Sequence, residues 1–227
     1  MREIPILFSS PMVRALLAGT KTQTRRVVAL PRKRQGFVML NTGAGWWPYQ
    51  SDDGESELCN DGMEHPYSCP YGQPGDRLWV REAFSGPWCM EAQDGIAAAP
   101  PSTWCPSSRI WYWADGNPVC GDWTRPRPSI HMPRWASRIL LEVIAVRVER
   151  LQDISEADAI AEGTYSYAAQ LAEDPAISAA DIEALIGKYG EGKVRCLYAA
   201  LWESINGADS WAANPWVWVV EFKRVTP

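Results

Sequence analysis

The sequence predicts an α+β protein built on a mostly antiparallel sheet or small barrel. Three observations lead there. Strand-like segments are scattered among helical ones along the 227 residues without a regular strand–helix alternation. The segments 138–150 and 216–225 are long and rich in β-branched or aromatic residues. The 13 Trp are a large excess over about one per hundred residues in ordinary soluble chains. Trp at that density fills a β-rich core or stacks on flat ligands such as bases.

The elements follow in order. Ile4–Phe8 reads as a short buried strand. Ser10-Pro11 then places an N-cap and a proline at the first helical position, with Gly19 as the stop. Thr22–Val28 is a strand by its Thr and Val content. Residues 29–75 are rich in Gly, Pro, acids and aromatics without a sustained period, which predicts loops. Strand pattern returns at Arg77–Phe84 after the Gly75-Asp76 turn. It recurs once within 85–128, at Arg109–Trp113. Arg138–Arg150 changes face near its middle, as a β-bulge requires. Ser155 and Asp158 open a short helix that Gly163 ends. Ser178 and Asp181 open another, and Lys193–Asn206 is the clearest amphipathic helix. In the last strand Trp216, Trp218, Val220 and Phe222 point inward and Val217, Val219, Glu221 and Lys223 outward. One domain therefore spans 1–227, with insertions at about 29–75, 85–128 and 164–192.

Apolar residues at 46% and charged residues at 22% exclude global disorder. Uncharged apolar runs such as Trp216–Val220 are too short for a membrane span, so no membrane partner is expected. The segment MREIPILFSSPMVR lacks the long apolar core of a secretory signal. Both point to the cytoplasm, where cysteines are reduced thiols or metal ligands. Cys59, His65 and Cys69 are separated by five and three residues. They are candidate zinc ligands, but no paired CxxC accompanies them, so neither a metal nor another cofactor is expected.

Net charge is −5 but uneven: the first 40 residues carry eight Lys/Arg against one acid, Glu3. Residues 41–75 carry six acids and no Lys or Arg, which predicts a surface segment at a pocket rim. An acidic chain is a poor non-specific nucleic-acid coat, whereas a confined basic patch suits a focused anionic ligand. The run Arg32–Arg34 reads as a solvated loop.

The strongest local signal is Gly19-Thr20-Lys21-Thr22-Gln23-Thr24-Arg25-Arg26. Gly19 frees the backbone to turn. Hydroxyls, an amine and two guanidiniums then hydrogen-bond an anionic or carbonyl-bearing ligand from several sides. A partly buried lysine beside two arginines loses basicity, which makes Lys21 a usable base near neutral pH. The plainer reading of the same residues is an exposed Thr/Arg edge strand. His131 reads as a structural hydrogen-bonder, and no GxSxG, HExxH or Gly-rich phosphate loop is present.

GTKTQTRR resembles the G-x-K-x-x-x-x-R signature of the ASCH family. The likeness continues in GDRLWVRE, in LQDISEADAIAEG and in WVWVVEFKRV. CPYGQPGDRLWVREAF and HMPRWASRILLEV are similar to the larger phage or prophage branch of that family. The resemblance covers about half of the chain as family core. It implies a PUA-like β-barrel whose cleft binds RNA or a modified nucleoside. One ASCH subgroup hydrolyses N4-acetylcytidine with a Lys, a Thr three residues later and a Glu after the central strand. Carried over, the catalytic residues are Lys21, Thr24 and Glu162, with Glu156 the competitor for the third role and Gly19, Thr22, Arg25 and Arg26 binding substrate. Lys21 would deprotonate Thr24 or a water, an arginine would stabilise developing negative charge, and Glu162 would protonate the departing cytosine amine. In a regular strand Lys21 and Thr24 face opposite ways, so they converge only if Lys21 lies in the turn after Gly19. Outside the resemblance Glu162 is a surface residue on the last turn of a helix. Two further functions fit the same residues, a non-catalytic RNA or modified-nucleotide binding module and a ribonuclease.

Overall fold

The centre of the molecule is the longest β-branched segment, Leu140–Arg150, flanked on both edges by other strands. The computed structural model describes residues 1–29, 37–41, 43, 45–50, 66–86, 110–118, 123–164 and 193–225. In chain order the strands are β1 (Glu3–Leu7), β2 (Gln23–Val27), β3 (Phe37–Asn41), β4 (Trp46–Gln50) and β5 (Arg77–Arg81). They continue with β6 (Phe84–Ser85), β7 (Trp111–Tyr112), β8 (Leu140–Arg150) and β9 (Trp216–Val225). Helices α1 (Ser10–Leu17), α2 (Glu156–Ala161) and α3 (Lys193–Asn206) lie between them. The fold is mixed α+β with a sheet core.

Seven strands form one sheet. β8 pairs antiparallel with β9 along its length, and β9 pairs antiparallel with β2. On its other edge β8 meets β5 at Leu140–Glu142 and β4 at Val148. β1 runs parallel to β5, and α1 follows β1 directly. The register slips between Val143 and Ala145, leaving Ile144 as the extra residue, 50% exposed. This is the bulge that the face change in the sequence requires.

Among the described residues the sheet does not close into a barrel. β1 pairs with β5 alone and β2 with β9 alone, so both present open edges. The small-barrel alternative therefore gives way to an open, strongly paired sheet.

β9 departs from the half-buried pattern read in its sequence. Trp218, Val220 and Phe222 pack with Ile6, Phe8 and Leu141 on one face. Val217 and Val219 pack on the other with Leu151, Tyr198 and Trp202, because α2 and α3 cover that face too. A strand buried on both sides reads as a near-continuous apolar run, as WVWVV does. The segment 29–75 contains a β3–β4 hairpin where loops are expected. Its strands are only five residues each, Pro48 interrupts one of them, and the Gly-rich connection hides the pairing. The strand expected at 77–84 splits into β5 and β6, the latter pairing with β7 in a separate ribbon. Ser9 rather than Ser10 occupies the N-cap of α1.

The basic run Arg32–Arg34, residues 51–65 of the acidic stretch and the helix expected from Ser178 lie outside the described residues. So do Cys59, His65, Cys89, Cys105 and Cys120. No helix among the described residues is long and apolar enough to cross a membrane.

Candidate functional site

Two chain reversals build the site. At the end of α1, Gly19 takes φ +75°, and the N–H groups of Thr20 and Lys21 both donate to the Ala15 carbonyl, at 3.0 and 3.2 Å. At the end of α2, Glu162 is the C-cap and Gly163 takes φ +82°. The reversals meet: Lys21 and Glu162 form an isolated antiparallel bridge, and the Thr22 N–H donates to the Ala161 carbonyl at 2.8 Å. A Cβ on Gly163 would lie 2.9 Å from the Ala15 Cβ and 3.1 Å from the Lys21 Cβ. Only glycine allows both this backbone conformation and this approach.

Lys21 thus lies in the turn before β2. Its side chain is 0% exposed, and Nζ donates to Glu162 Oε2 at 2.7 Å and to the Glu162 carbonyl at 2.8 Å. Burial lowers the Lys21 pKa, against the opposing pull of the Glu162 charge and hydrogen bond. Arg25 Nη1 lies 3.4 Å from Glu162 Oε1. The same guanidinium pairs with Glu149 and lies 3.4 Å from Asp158 Oδ2. Arg147 extends the network to Glu149 at 3.2 Å, to Asp158 at 3.1 Å and to Glu221. Burial pushes the Asp158 carboxyl up, but the Ser155 hydroxyl and the Arg25 charge outweigh it and hold its pKa low.

A pocket of about 310 Å³ straddles the open edge of β2. Thr24, Arg25 and Arg26 line it from the strand, Glu162 is part of its wall, and Phe8 and Tyr198 come from opposite faces of the sheet. Burial pushes the Tyr198 phenol well up, and the Glu162 charge adds to this. Arg26 is fixed by donating to the Leu7 carbonyl at 2.7 Å and by stacking over Phe8, 5.3 Å from its centroid.

A scan of protein-family models finds no match to this chain, and neither do searches of curated proteins and of solved structures. The site therefore stands on its own geometry.

That geometry joins Lys21 to Glu162, and Glu162 to Thr24, Arg25 and Arg26 through the shared pocket. Lys21 is not part of the lining; it grips Glu162 from the protein side. Gly19 and Thr22 do not line the pocket and shape it through the backbone. Glu156 is exposed in the first turn of α2, where its Oε1 accepts from the Arg195 N–H at 3.4 Å. Glu162 is buried, which corrects the reading of it as a surface residue. The exposed edge-strand reading of GTKTQTRR is corrected as well. β2 is an edge strand, yet Lys21, Gln23, Thr24 and Arg25 are each only 2–3% exposed because α1, α2 and α3 close over them. His131 is exposed. Cys69 and Cys196 are buried free thiols, and burial pushes Cys69 up to about 11. No group of three or more His, Cys, Asp or Glu that could hold a metal occurs among the described residues.

Sequence reasoning missed Tyr198 and Trp202, whose helical spacing marks them only as core. It also missed Glu149, Asp158 and Arg147. The available signal was Arg147-Val148-Glu149, a charged pair on one face of a mostly apolar strand.

Proposed function

We propose that the protein hydrolyses the amide of an N4-acylated cytidine in the pocket at the β2 edge. The observation that carries this reading is the buried Lys21–Glu162 pair, with Glu162 and Thr24 lining one cavity. Moving the shared proton across the 2.7 Å hydrogen bond turns the ion pair into an amine and a carboxylic acid. Those are the two forms that amide hydrolysis needs, and burial of Lys21 lowers the cost of reaching them from the ion pair. Lys21 Nζ then takes the proton of the Thr24 hydroxyl, and Oγ bonds to the acyl carbon. Arg25 and Arg26 stabilise the charge on the carbonyl oxygen. Glu162 gives its proton to N4 as the C–N bond breaks. The ion pair is restored, cytidine leaves, and Thr24 carries the acyl ester. Water repeats the sequence on that ester: Lys21 takes its proton and Glu162 protonates Thr24 Oγ. The resemblance to ASCH proteins supports the same three residues. Within this reading the sheet is PUA-like, and the gap between β1 and β2, bordered by Leu7 and Val27, is the seam that holds substrate.

A second reading, binding of a modified nucleotide or RNA without turnover, has one observation in its favour. Lys21 is fully engaged by Glu162 and does not line the pocket. Incubation with a panel of acylated and methylated nucleosides, read by mass spectrometry, separates the two. Conversion of N4-acetylcytidine to cytidine and acetate is expected. Retention of the nucleosides without any hydrolysis supports the binding module instead.

A further inference from the structure

Buried donors without partners show what a pocket is built to receive. Among the described residues, three such N–H groups belong to side chains that line the β2-edge pocket: Arg25 Nε, Arg26 Nε and Trp202 Nε1. Trp202 is 5% exposed. Its indole N–H is therefore removed from water with nothing among the described residues to accept it, which costs stability. A merely packing residue has no need of that N–H, since phenylalanine would fill an apolar site without it. All three groups are donors, so the pocket calls for a ligand that presents acceptors.

We infer that the Trp202 indole N–H is a specificity-determining donor that reads the ring carbonyl at position 2 of a pyrimidine nucleoside. The inference rests on the proposed reading and assigns a further part of the wall of the same pocket. Glu162, where the amide nitrogen would sit, and Tyr198 line the same pocket. Trp202 lies four residues beyond Tyr198 on α3, about 6 Å along the axis, with the two rings 6.3 Å apart. In cytosine the exocyclic nitrogen and the position-2 carbonyl lie on opposite sides of N3. In the inferred pose the amide sits at Glu162, the ring plane lies against the aromatic wall, and that carbonyl faces Trp202. The indole donates, and the carbonyl oxygen accepts.

The test measures affinity for cytidine and for 2-thiocytidine, whose sulfur is a poor acceptor, with wild type and Trp202→Phe. Wild type should bind cytidine about tenfold more tightly than the thio analogue, as loss of one hydrogen bond predicts. The variant should bind the two alike. Its melting temperature should stay within about 3 °C of wild type, because removing an unsatisfied donor offsets the lost ring volume. Wild type that does not distinguish the two nucleosides overturns the inference whether or not the variant folds. So does a variant that melts far lower yet still prefers cytidine, which is the mark of a packing role. If wild type binds neither nucleoside, the nucleoside reading of the pocket falls and this inference falls with it.

Discussion

Replacing Glu162 with Gln removes the counter-charge of an ammonium that has no access to water. Lys21 is 0% exposed, and among the described residues its ammonium donates to Glu162 alone, once to the carboxylate and once to the backbone carbonyl. Removing one partner of a buried pair costs about 3–5 kcal/mol. For a chain of this size that lowers the melting temperature by about 6–20 °C. Lys21→Met should cost less, about 2 kcal/mol, because Glu162 keeps Arg25 at 3.4 Å. The double variant Lys21→Met/Glu162→Gln should cost at least about 1 kcal/mol less than the sum of the two. The pH dependence has a definite sign. Burial already holds Lys21 below its ordinary 10.5, and the two influences that raise it both come from Glu162. Without them its folded-state pKa drops further, so below 10.5 the unfolded chain holds the extra proton and stability rises with pH. Urea unfolding at pH 7 and pH 10 measures both effects. The Glu162→Gln deficit should be large at pH 7 and narrower at pH 10. A deficit below about 1 kcal/mol at pH 7, or one that widens with pH, refutes the buried pair.

Two substitutions probe the frame around it. Gly163→Ala should lose about 2 kcal/mol or more, since φ +82° disfavours a side chain and the new Cβ would meet Ala15 at 2.9 Å; thermal unfolding checks this, and an unchanged midpoint refutes the close approach. Arg138→Gln leaves Glu82, 1% exposed, without its guanidinium partner. A loss of about 3–5 kcal/mol is expected. Burial already raises the Glu82 carboxyl against the pull of Arg138. In the variant the folded state holds its proton to higher pH, so the loss should be smaller in acid than at neutrality, as unfolding midpoints across pH 4–8 would show.

The strands at the heart of the sheet were legible because their period is set by local burial. β1, β2, β5, β8 and β9 fall within a few residues of the apolar runs that announce them, and the bulge at Ile144 is visible as a change of face. What escaped depends on contacts distant in sequence. The second buried face of β9 exists because α3 covers it, and Val217 and Val219 alone do not say so. The β3–β4 hairpin is too short and too interrupted by Gly and Pro for periodicity to find it. At the site, Gly19 and Gly163 mark the two reversals in sequence. That the reversals touch, 141 residues apart, is a property of the folded sheet. The same distance hid the choice between Glu156 and Glu162: one helix carries both, and only its C-terminal end meets Lys21.

The central claim is that Lys21, Thr24 and Glu162 act together on an amide, and turnover of N4-acetylcytidine set against affinity for cytidine tests it most directly. Wild type should release acetate, and Lys21→Ala and Thr24→Ala should each lower the rate by at least about 100-fold. Cytidine affinity should change only a few-fold in Thr24→Ala, because Arg25, Arg26 and the aromatic wall remain. Absence of turnover in wild type, or turnover that survives both substitutions, would contradict the assignment.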